Sequence, residues 1–174
     1  MGRSALAPSP RALNKGPRPL ARAIPLISVV VASGLAALPI VARIGWWPDA
    51  ALLVLLAWRI RRADCWPSWA AAFLGFANDV LGGGPIGLSV ALWPFIMLAM
   101  DVIDRRTMWR DWRIEWIIAA GFIMLSEFVE WQVASMAGAP VRFTLIWPAM
   151  LVGTLCYPIA SALVQRLDRW RDNR

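Results

Sequence analysis

The sequence predicts an all-α integral membrane protein of six transmembrane helices, the second of them short. Three observations carry that expectation. Of the 174 residues, 59% are hydrophobic and only 17% charged, whereas a soluble domain keeps about a quarter of its residues charged. The charges are clustered, and between them Ile24–Ala42 and Phe143–Gln165 run for 19 and 23 residues without one; crossing a bilayer takes about 20. Finally, an even number of crossings puts all but two of the 18 Lys and Arg residues on one side, the asymmetry expected of cytoplasmic loops.

Met1–Arg22 is rich in Pro, Ala and Arg, has no hydrophobic face and reads as a disordered basic cytoplasmic tail. The apolar run after it has the outline of a signal peptide, but its long leader and the apolar sequence downstream favour an uncleaved first helix. Helical segments are expected at roughly Ile24–Ala42, Trp46–Trp58, Trp66–Gly82, Pro85–Met100, Trp116–Ala137 and Phe143–Gln165. They make a membrane domain over residues 23–166, followed by a basic cytoplasmic tail over 167–174. The second segment, WWPDAALLVLLAW, is too short to span alone. Pro48 and Asp49 suit its start, where proline gives up no needed donor and a carboxylate meets the positive helix end. The segment is expected to tilt, or to extend through Arg59 by snorkelling.

With the N-terminus inside, only Arg43 and Arg142 lie outside, so both termini are expected in the cytoplasm. The net charge of +7 is spread over the flanks of apolar segments instead of one patch, which argues against nucleic acid. Cys65 and Cys156, in a polar connection and an apolar run, imply no disulfide framework.

In GFANDVLGGGPIGLS a single charge stands in an apolar run. Asp79 follows Trp66 by 13 residues, which puts it about 20 Å from the inner surface. Gly82, Gly83, Gly84 and Pro85 must end one helix and begin the next; glycine accepts positive φ and Pro85 suits a first turn. Backbone amides at this break need partners, because lipid offers none. Asp79 is read first as the acceptor that anchors the turn, and second as the binder of a proton, cation or substrate amine.

SEFVEWQ places Glu127 and Glu130 on one helical face near mid-membrane. They must pair with a cation, share a proton, or face water or a partner, and Arg43 and Arg142 are the only outer cations. Two readings stay open: the glutamates line an outward cavity with Asp79, or they form interhelical bonds as protonated or Arg-paired carboxyls. RRTMWRDWRIEW sets Trp109, Trp112 and Trp116 at helical spacing, with Arg106, Arg110 and Arg113 on another face. An amphipathic helix anchored in lipid at the inner headgroup level is expected, a docking surface for a cytoplasmic partner being the alternative.

There is no His, and the one Lys, Lys15, lies in the N-terminal tail. No GxxxxGK loop, His-assisted nucleophile or Cys/His metal set can be assembled. No catalytic residue, metal or cofactor is expected, and an enzyme is disfavoured.

The stretch WWPDAALLVLLAW followed by WPSWAAAFLGFANDVLGGGPIGLSVALWPFIMLAMDVIDRR resembles the rod shape-determining MreD family. That family has Pro-Asp at the start of a short second segment, then a G-x-x-x-D pattern, a Gly-rich turn and a Gly-Leu opening the next helix. Gly75, Asp79, Gly82, Gly87 and Leu88 fall on those positions, and the match covers Trp46 to Arg106. The resemblance implies a non-enzymatic inner-membrane scaffold of the elongation machinery, with MreC, the actin-like MreB, and RodA with its penicillin-binding transpeptidase as partners. It also implies a plan similar to the substrate-binding subunits of energy-coupling-factor vitamin transporters. The basic tail, the Arg-rich second connection and the Glu127/Glu130 pair depart from the family pattern. The alternatives are a small-molecule uptake subunit, or an ion- or proton-coupled transporter titrating Asp79 or Glu127.

Overall fold

The computed structural model describes residues 19–39, 47–63, 66–106, 111–138, 144 and 146–172. Among them are six helices and no strand: α1 Pro19–Ala36, α2 Ala50–Arg61, α3 Ala70–Gly82, α4 Leu88–Arg106, α5 Trp112–Met136 and α6 Trp147–Asp172. Helices α5 and α6 are long and apolar enough to cross a membrane.

Helix α2 is apolar on every face, and such a helix is stable only when enclosed. It is enclosed: nine of its 12 residues are buried, from Ala51 to Ile60. Helices α1 and α6 pack along it, α3 packs on α1 and α4, and α5 on α6, with a lighter contact between α4 and α5. Asp49 caps its start, accepting from Ala51 N at 2.9 Å and Leu52 N at 3.1 Å, bonds that satisfy two of the amides a helix start leaves open. Trp58, fully buried, donates its indole N–H to Ser28 Oγ on α1 at 2.8 Å.

The outer faces are apolar. Trp69, Phe73, Phe76 and Val80 form an exposed stripe on α3, and Leu151, Leu155, Ile159 and Leu163 another on α6. Charged Arg59, Asp79 and Asp168 are buried instead. Soluble monomers seldom expose apolar patches beyond a few hundred Å².

Several expected boundaries move. Helix α1 begins at Pro19, four residues inside the stretch read as a disordered tail; proline is at home in a first turn. Residues 1–18 of that tail lie outside the described residues. The C-terminal tail is not a separate element up to residue 172, because α6 continues to Asp172 and buries Asp168 against Arg62. Arg59 does not snorkel: it is 3% exposed and ion-paired. The stretch RRTMWRDWRIEW is not one amphipathic helix. Arg106 closes α4, Asp111 is the extended residue before α5, and Trp112, Arg113 and Trp116 belong to the long α5. Trp109 and Arg110 lie outside the described residues.

Candidate functional site

Two polar clusters sit at opposite ends of α2. The first joins the N-termini of α2 and α4. Asp79, 4% exposed, accepts from Gly87 N at 2.7 Å through Oδ2 and from Ser89 N at 3.0 Å through Oδ1. Both oxygens therefore close amides at the start of α4, where a carboxylate also meets the positive end of the helix dipole. Gly83 (φ 69°) and Gly87 (φ 102°) take the left-handed conformation that favours glycine, and Gly82, Gly84 and Pro85 complete the turn.

One turn before Asp79, Gly75 lies flat against the next helix. A Cβ there would fall on the Ser89 carbonyl and 2.8 Å from Val90 N. The spacing of four between Gly75 and Asp79 puts both on the α3 face that meets α4. Asn78 extends the cluster, donating to Asp49 Oδ2 at 3.0 Å and to Ser89 Oγ at 3.4 Å.

Glu127 and Glu130 on α5 lie within electrostatic reach of this cluster. Each feels the charge of Asp49, and Glu130 also that of Glu127 and Asp79. Among the described residues neither has a hydrogen-bond or ion-pair partner, and Arg142 lies outside them. The acid nearest in influence to the glutamates is thus Asp49, with Asp79 already committed to the turn. Among the described residues no group of three or more His, Cys, Asp or Glu is arranged to hold a metal ion.

The second cluster lies at the other end of α2. The Arg59 guanidinium is paired with Asp101 and, at 3.1 Å, with Asp104, both on α4. Ser68 Oγ donates to Asp101 Oδ2 at 3.0 Å. Beside this, Arg62 Nε reaches Asp168 on α6 at 2.9 Å, and Arg171 lies 3.6 Å from the same carboxylate. The Arg171 guanidinium stands 5.8 Å from the Trp58 ring centroid. Neither Asp101 nor Asp104 figured among the expected site residues; their spacing of three on one helix face was the signal available.

No family model matches the chain, and neither a curated protein nor a solved structure does. The geometry alone has to speak for the site. It contains acceptors bound to backbone amides, a hydroxyl bound to a carboxylate and a guanidinium between carboxylates. Such an arrangement holds helices in fixed relation.

Proposed function

We propose that the chain is a six-span inner-membrane protein of the MreD kind. In this reading it is a non-enzymatic scaffold of the complex that builds lateral peptidoglycan, with both termini in the cytoplasm. The observation that carries the reading is the unit made by Gly75, Asp79, Gly87 and Ser89. The residues on which the family resemblance rests form one rigid α3–α4 corner, with Asp79 spent on backbone amides and not left for a ligand. Support for the membrane part comes from the exposed apolar stripes and from the clustering of Arg at one end of the helices. The outer end would present its glutamates to transmembrane segments of MreC or the transpeptidase, and the basic inner end would face lipid and MreB.

Glu127 and Glu130, within electrostatic reach of Asp49 and with no cation paired to them among the described residues, favour a second reading: an uptake subunit that binds a cationic or amine-bearing small molecule. Affinity purification of the tagged chain from native membranes, followed by mass spectrometry, separates the two. Recovery of MreC with RodA and its transpeptidase is the expected result. Recovery of an ATP-binding cassette pair would sink the scaffold reading and turn Glu127 and Glu130 into ligand contacts.

A further inference from the structure

We propose that the groove between the start of α5 and the second half of α6 is a binding site for an inner-leaflet glycerophospholipid, its phosphodiester held by Arg113. The inference rests on the membrane part of the functional reading and not on any partner protein.

The groove has a volume of about 670 Å³ and is open along one side, a size in the range of about 300–1,000 Å³ that small ligands fill. Pro158 lies in its wall. Proline cannot donate to the carbonyl four residues back, and Trp116 on α5 supplies the missing donor to Thr154 O at 3.1 Å. This bond ties the two helices at the floor, and Trp116, Leu155 and Pro158 line an apolar trough above it. Leu155 and Ile117 are about two-thirds exposed, 65% and 64%, so nothing among the described residues covers the trough.

The mouth is polar. Arg113 and Gln165 line it together with Glu115. The Arg113 guanidinium rests 5.7 Å from the Trp112 ring centroid and has no ion pair among the described residues. Arg169, exposed and one turn beyond Gln165, donates to the Gln165 carbonyl at 3.4 Å. With Arg169 beside the lining residue Gln165, this end of the groove carries two guanidiniums and one carboxylate. An apolar trough ending in a net positive mouth complements a molecule with an acyl chain and an anionic head. Basic pockets between transmembrane helices on the cytoplasmic side recognise such headgroups. An aromatic ring under the cation is typical of the headgroup level.

The test uses the purified full chain in mild detergent, with native mass spectrometry and thermal unfolding during titration with phosphatidylglycerol. Phosphatidylethanolamine and diacylglycerol serve as comparators. Phosphatidylglycerol is expected to stay bound and raise the unfolding midpoint, phosphatidylethanolamine to do so more weakly, and diacylglycerol not at all. Arg113→Gln should weaken binding about tenfold, the scale of a lost charge-assisted bond. Ala162→Trp, which fills the trough and keeps the charges, should do the same. Arg105→Gln, an exposed Arg on α4, should change nothing. Binding of diacylglycerol as tight as that of phosphatidylglycerol would overturn the proposal, as would wild-type binding by both groove variants. Photo-crosslinking from position 162 in native membranes should capture lipid; capture of a protein helix there instead would also overturn it. A chain that stays soluble without detergent would defeat the membrane reading itself, whereas loss of MreC in affinity purification leaves this site untouched.

Discussion

The indole N–H of Trp116 donates to the carbonyl of Thr154, the carbonyl that Pro158 deprives of its helical donor. Trp116→Phe should therefore leave a partly buried acceptor unpaired and cost about 1 kcal/mol. In the Trp116→Phe background, Pro158→Ala restores the backbone donor and should return most of the loss. The four proteins of that cycle can be compared by thermal unfolding in detergent. Equal losses with and without Pro158 would show that the indole acts through packing and not through this bond.

Gly75 and Gly121 both lie inside helices but meet different surroundings. A Cβ at Gly75 strikes the α4 backbone, and one at Gly121 meets nothing within 4 Å. Gly75→Ala should prise α3 from α4 and lower both yield and unfolding midpoint. Gly121→Ala should be neutral, or stabilise by about 0.5–1 kcal/mol through reduced chain entropy. Circular dichroism melts of the two variants side by side test the contrast.

Arg59→Met should leave Asp101 and Asp104 facing each other without a cation. Removing one member of a buried ion pair costs about 3–5 kcal/mol. Arg61, exposed two residues later, should tolerate the same change within about 0.5 kcal/mol. If Arg59→Met unfolds no earlier than Arg61→Met in a denaturing-detergent titration, the ion cluster is not what secures that end.

Asp79→Asn retains one acceptor oxygen for the two amides of Gly87 and Ser89, and Asp79→Ala retains none. The expected order of stability is wild type, Asn, Ala, with about 1.5–3 kcal/mol for each lost bond to the carboxylate. Proteolysis within the Gly82–Gly87 turn should speed up in the same order. An Asn variant that is fully stable yet inactive would instead point to a titrating role for Asp79.

The number and order of helices were legible because apolar runs alternate with charged connections or, between α3 and α4, with a glycine-proline turn. Helix ends were less so. An apolar run stops at the first charge, but α4 continues past Met100, since Asp101 and Asp104 turn inward to Arg59 instead of outward to water. Pro19 and the residues beyond Gln165 were lost to tails for the same reason: polar composition was taken for the end of structure. Asp79 stood out as a lone charge beside glycines, and Pro48–Asp49 as a helix start. The Arg59 pairing did not stand out, because a partner 42 residues away leaves no local pattern. Asn78 and Ser89 are ordinary residues whose part appears only once α2, α3 and α4 are brought together.

The enclosure of α2 has a consequence for how the chain is made. Its Arg59 is synthesised 42 residues before Asp101, and Arg62 is synthesised 106 residues before Asp168. Neither guanidinium can find its counter-charge while α2 is leaving the ribosome, so the interior cannot close in the order of synthesis. The early helices must wait half-assembled until α4 arrives, and the latch to α6 forms only after Asp168 has been translated.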